Sequence, residues 1–107
     1  VFCLPSTYEG FGVPYIEAMA SGTPVVATPN PGAREVTCEG EYGLLPTDDA
    51  LGETLASLLA DAPSRERLAA AGLQRSRDFG WNRICADYEA LYASQPTLQV
   101  EAAKTAR

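Results

Sequence analysis

Val1-Phe2-Cys3-Leu4-Pro5-Ser6-Thr7-Tyr8-Glu9-Gly10-Phe11-Gly12-Val13-Pro14-Tyr15-Ile16-Glu17-Ala18-Met19-Ala20-Ser21-Gly22-Thr23-Pro24-Val25-Val26-Ala27 is the stretch on which the fold of this chain turns. Residues 1–4 form a short, continuous apolar run, the pattern of a strand buried on both faces. Pro5 and Ser6 end it, and residues 7–12 read as a loop containing two glycines. A helix is expected from Val13 or Pro14, because proline suits the first helical turn. Gly22 suits the position just past its end, and Pro24 cannot continue it. Residues 25–27 then read as a second buried strand. Strand, helix and strand in this order predict a parallel sheet with a right-handed crossover.

Further along, residues 29–32 form a turn cluster, residues 33–37 are long enough for one helical turn, and residues 42–45 read as a third short strand. The period then changes. Leu51, Leu55, Leu58 and Leu59 fall on one helical face, opened by Thr47 or Asp48 as N-cap. Ala62-Pro63-Ser64 breaks that helix and caps another, which carries Leu68 and Leu73 as far as about Asp78. Trp81, Ile84, Cys85, Tyr88, Leu91 and Tyr92 mark a final helix, and residues 94–107 are polar and aperiodic, the pattern of a frayed tail.

Composition narrows the function. The chain has 107 residues, 14 acidic and 8 basic, for a net charge of −6. Nucleic acid is therefore not expected as a partner, since phosphate backbones call for a basic footprint. The same charge offers no polybasic membrane surface. There is no histidine, so no Ser-His or Cys-His pair can be completed within the chain. Cys3, Cys38 and Cys85 lack metal-ligand spacing and read as reduced, buried or half-buried thiols. No apolar run approaches the roughly 20 residues of a membrane span. Val1 lies inside an apolar run and is read as a cut point in a longer chain.

In open parallel sheets, ligands bind outside the carboxyl ends of the strands. Two loops leave those ends, residues 6–12 and 28–32. Between Gly10 and Ala33 the only charge is Glu17, on a helix that is apolar or small nearly all round. Such a helix is normally buried, and Glu17 has no cation three or four residues away. A carboxylate buried there needs hydrogen-bond donors; paired ribose hydroxyls would serve, as would nearby backbone N–H groups or solvent. Gly10 and Gly12 permit positive φ and close approach of backbone to ligand. Their loop runs into a helix N-terminus, where N–H groups and the dipole favour a pyrophosphate, although two glycines can also make only a tight turn. The run is not a P-loop, and Tyr15 stands where a dinucleotide fingerprint requires its third glycine.

Pro5-Ser6, Glu9-Gly10-Phe11-Gly12, Pro14, Glu17-Ala18-Met19-Ala20, Gly22 and Pro24-Val25-Val26-Ala27 together resemble the signature of glycosyltransferase family four, the group 1 retaining enzymes of GT-B architecture. The likeness continues more loosely through Pro31-Gly32, Glu35-Val36, Gly43-Leu44-Leu45, Phe79, Trp81 and Tyr88. It implies an α/β fold, a partial Rossmann-like parallel sheet with flanking helices, forming the C-terminal half of a GT-B second domain over residues 1–93. By the resemblance, Glu9 is the catalytic glutamate near the transferred sugar and Glu17 binds the donor ribose. Glu9, Gly10, Phe11, Gly12 and Val13 meet sugar hydroxyls and phosphates. No metal and no cofactor are implied; a nucleotide-diphosphate sugar is the donor substrate. The implied partners are that nucleotide sugar and an N-terminal acceptor domain of the same chain, absent here together with the Arg and Lys that grip the diphosphate. The implied location is cytoplasmic, with peripheral membrane association left to the absent part. Gly80 departs from the Ser that many relatives carry before Trp81. Two other readings stay open: a non-catalytic nucleotide- or phosphate-binding module, and a GT-B phosphorylase or epimerase, which can share the paired glutamates.

Overall fold

The computed structural model describes residues 1–94. Two short strands, β1 (Phe2–Leu4) and β2 (Val25–Ala27), pair in parallel with Phe2 opposite Val25 and Leu4 opposite Ala27. The connection between them is α1 (Val13–Ala20). All of β2 is buried, whereas β1 is half-buried, because β2 has a neighbour on both sides and β1 on one among the described residues. Gly22 closes α1 with φ of +67°; its N–H reaches Met19 O and that of Thr23 reaches Ala18 O, the paired bonds of a Schellman motif.

The third strand expected over residues 42–45 contracts to a single bridge, Val26 to Leu44. Leu44 N–H donates to Val25 O and Leu44 O accepts from Ala27 N–H. The Tyr42 N–H is spent on Thr37 O, which folds the chain back on the preceding helix. Pro46 follows two residues after Leu44 and has no N–H to extend the ladder. The turn cluster at 29–32 is also corrected. Asn30 is an N-cap, its side chain accepting from Ala33 N–H, and α2 (Pro31–Thr37) starts at once behind it.

A 3-10 turn (Asp48–Ala50) precedes α3 (Leu51–Ala60), and neither Thr47 nor Asp48 caps α3 with a side-chain bond. The cap of α4 (Ala62–Ser76) is Asp61, which accepts from Ser64 N–H at 3.1 Å; Ala62 and Pro63 are already inside the helix. A second 3-10 turn (Arg77–Phe79) leads into α5 (Trp81–Ser94). Ser94 therefore belongs to α5, and the rest of the expected tail lies outside the described residues. Of the cysteines, Cys3 is half-buried while Cys38 and Cys85 are exposed, so the expectation of three buried or half-buried thiols holds for one; all three are free.

The core is small. Tyr15, Met19, Val25, Ala27, Ala33 and Val36 form it, with Phe2, Leu4, Tyr42 and Phe79 packed around them. α4 crosses α1 at Gly72, where a Cβ would come within 3.1 Å of Met19 Cγ. α5 buries none of its residues and leaves Trp81, Tyr88, Leu91 and Tyr92 exposed. No helix among the described residues is long and apolar enough to cross a membrane.

Candidate functional site: the loops beyond β1 and β2

Because the strands are parallel, the loops after Leu4 and after Ala27 leave the sheet on the same side, and side chains sew them together. Thr28 Oγ1 donates to Ser6 O at 2.8 Å. Asn30 Nδ2 reaches Ser6 O at 3.1 Å, Thr28 O at 3.1 Å and the Tyr15 hydroxyl at 3.2 Å. The Tyr15 hydroxyl in turn donates to Leu4 O at 3.2 Å. Tyr15, Asn30 and Thr28 are all buried. In so dry a place each unpaired polar atom would be costly, so the bonds fix the path of both loops. Sequence alone marks none of the three as a link between the loops. The Asn-Pro pair signals an N-cap, but nothing local shows that its amide group turns to another loop.

The contact between the loops is backbone to backbone. Gly32 N–H donates to Glu9 O at 2.9 Å. A Cβ on Gly32 would lie 2.7 Å from Glu9 O and 2.9 Å from Phe11 C, so only glycine fits without a shift. Gly12 is equally constrained: its φ is +87° and a Cβ there would meet the Tyr15 ring at 2.6 Å. Gly10 is different. It has no positive φ and nothing lies within 4 Å of a Cβ built on it, so the positive φ that both glycines permit is used at Gly12 alone.

Glu9 is half-buried and accepts from Ser6 Oγ at 2.9 Å. Phe11 and Val13 are exposed, Gly12 is buried, and Val13 is the first residue of α1. Among the described residues, the N–H groups of residues 10–13 find no acceptor. The last two, Gly12 and Val13, stand at the start of α1, a position suited to anionic oxygens.

Glu17 is exposed, which corrects the expectation of a buried carboxylate. α1 buries Tyr15 and Met19, and Glu17 is about 200° round the helix from each. Small and apolar neighbours made the whole helix look buried, yet only one stripe meets the core. The argument from desolvation therefore has no force in this chain, although a carboxylate on that outer face remains free to accept from a ligand. Arg34 pairs with Glu39 at 2.6 Å on the surface. A groove of about 560 Å³ lies elsewhere, between Leu44, α3 and α4, and none of its lining residues belongs to either loop. Among the described residues, no group of three or more His, Cys, Asp or Glu is placed to hold a metal ion.

A short parallel sheet whose carboxyl-end loops interlock around a glycine-bounded helix N-terminus has the architecture of a Rossmann-like α/β domain, a class whose ligands bind outside the carboxyl ends of the strands. The chain belongs to the glycosyl transferases group 1 family, whose model matches residues 1–75. It is 39% identical over 101 residues to a phosphatidyl-myo-inositol mannosyltransferase of Mycobacterium leprae, covering 91% of this chain and 27% of that protein. It is 36% identical over 104 residues to a D-inositol 3-phosphate glycosyltransferase of Corynebacterium efficiens, covering 94% of this chain and 24% of that protein. Among solved structures, sucrose-phosphate synthase from Thermosynechococcus elongatus matches with a TM-score of 0.77 and 36% identity, over 85% of this chain and 24% of that one. The expected fold, part of a GT-B glycosyltransferase, is thus the observed one. The chain spans about a quarter of the length of these relatives.

Proposed function

We propose that this chain is the donor-binding part of a retaining glycosyltransferase that moves a sugar from a nucleotide-diphosphate sugar to an acceptor hydroxyl. An acceptor domain elsewhere in the same protein completes the cleft. The observation that carries the reading is the row of N–H groups at residues 10–13, without acceptors among the described residues, beside a half-buried Glu9. Such donors stabilise a leaving diphosphate by preorganised electrostatics, with no metal required. In this reading Glu9 faces the transferred sugar, Glu17 accepts from the ribose hydroxyls, and Gly10, Phe11, Gly12 and Val13 line the sugar-phosphate path. The enzyme works in the cytoplasm. The relatives named above act on phosphatidyl-myo-inositol and on D-inositol 3-phosphate, so inositol-bearing acceptors are the first to assay.

The test is calorimetric titration of UDP and of GDP into the full-length protein that carries this sequence. Glu17→Ala weakens whichever diphosphate binds by about 1.5–3 kcal/mol, the range for hydrogen bonds to a charged group. Unchanged affinity in a folded variant removes the ribose role. Binding of the diphosphate with no discrimination of its sugar conjugate, and no free nucleotide released during turnover, would return the chain to a non-catalytic binding module.

A further inference from the structure

The loop of residues 9–12 is held at one end by the Ser6 and Gly32 contacts with Glu9. Its other prominent contact comes from far along the chain. The Phe11 ring meets Phe79, in the second 3-10 turn, edge to face at 5.9 Å and 81°. Phe11 is 49% exposed, and this edge-to-face pair ties its ring to a distant part of the chain. Phe79 is held in turn by Arg75, whose guanidinium lies 4.8 Å from the ring centroid. Arg75 is itself locked: Nε donates to Val36 O at 3.1 Å, Nη2 to Glu35 O at 3.1 Å and Nη1 to Asp78 at 3.0 Å. Glu35 and Val36 lie toward the far end of α2, the same helix whose Gly32 abuts the loop backbone. The contacts therefore form a closed circuit, from the loop through Gly32 and α2 to Arg75, then through Phe79 and Phe11 back to the loop.

We propose that Phe79 is a positioning residue for the donor loop: it holds Phe11, and through Phe11 the N–H groups of residues 11–13, with Arg75 fixing the Phe79 ring. The proposal rests on the reading of that loop as the donor site. Its physical basis is preorganisation. A loop whose N–H groups are already aimed loses less freedom on binding than one that must be ordered by the ligand. Phe79 also packs on the core, so loss of stability alone is no test.

The experiment is a double-mutant cycle in the full-length enzyme, with UDP and GDP as probes and the thermal midpoint recorded for each variant. Phe79→Ala weakens binding of the recognised diphosphate about threefold to tenfold, the fold-change of one aromatic pair. Phe79→Tyr, which restores the ring, restores the affinity. In a Phe11→Ala background the Phe79→Ala loss disappears, because the ring it acted on is gone. If Phe79→Ala fails to fold, Phe79→Leu keeps the apolar bulk and completes the cycle. An undiminished loss in the Phe11→Ala background overturns the proposal, as does unchanged affinity in a folded Phe79→Leu protein. If Phe11→Ala weakens binding and the Phe79 variants do not, only the positioning role falls. If Phe11→Ala and Glu17→Ala both leave diphosphate binding intact, the donor-site reading falls and takes the proposal with it.

Discussion

Glu9 carries the sharpest consequence at the scale of single residues. Its carboxylate is half-buried and held by Ser6 Oγ, so it is oriented before any ligand arrives. If it faces the transferred sugar, Glu9→Gln keeps the shape and removes the charge. The expected result in the full-length enzyme is a fall in kcat of at least about tenfold with diphosphate affinity within about threefold, the mark of an interaction made mainly in the transition state. A preserved kcat with weakened diphosphate binding would reassign Glu9 to the nucleotide. Much of this residue layer is legible in sequence. Gly12 announces itself by standing before a proline-opened helix, and Glu9 by leading it. Gly10 does not behave like Gly12, because sequence shows that a glycine is present and not whether its φ uses the freedom. Tyr15, Thr28 and Asn30 stay hidden for another reason. Their bonds reach Leu4 and Ser6, and no local pattern encodes a hydrogen bond between loops that meet only after the sheet has formed.

Elements are read well where one physical signal dominates. β2 is three consecutive apolar residues and is wholly buried; α1 ends where Gly22 takes a left-handed φ. Reading fails where two signals compete. Leu44 and Leu45 look like a strand, but a backbone bond to α2 claims Tyr42 ahead of them and Pro46 stops the ladder after them. Glu17 looked buried because small residues surround it, and only the angle round the helix separates the stripe that meets the core from the face that does not. α4 gives a test at this scale. The hydroxyl and N–H of Ser64 bond the Asp61 carboxylate and hold its pKa below the ordinary 3.8. A lowered folded-state pKa contributes stability above the unfolded value, and that contribution is lost as pH falls through the folded one. In the full-length protein the thermal midpoint should therefore drop as pH falls below about 4, and Asp61→Asn, which caps without titrating, should drop less. An equal fall in both proteins would show that the cap carriesno pH dependence.

For the molecule as a whole, the described residues offer one strand buried on both sides and one with an open edge, a small core, and a last helix that buries nothing. Strand edges and apolar faces of this kind are stable when something covers them. The 107-residue chain by itself is expected to unfold over a broad range and to transfer no sugar, whereas the full-length protein unfolds sharply and does. Unfolding curves and turnover assays on both check this, and a cooperative, active 107-residue chain would refute it. α5 also makes the comparison readable without a label. Trp81 is the single tryptophan of the sequence and is 80% exposed at the start of that helix. Its indole is a built-in lamp: a red-shifted, easily quenched emission marks a bare helix, and a blue shift on joining the rest of the protein marks the moment that α5 is covered.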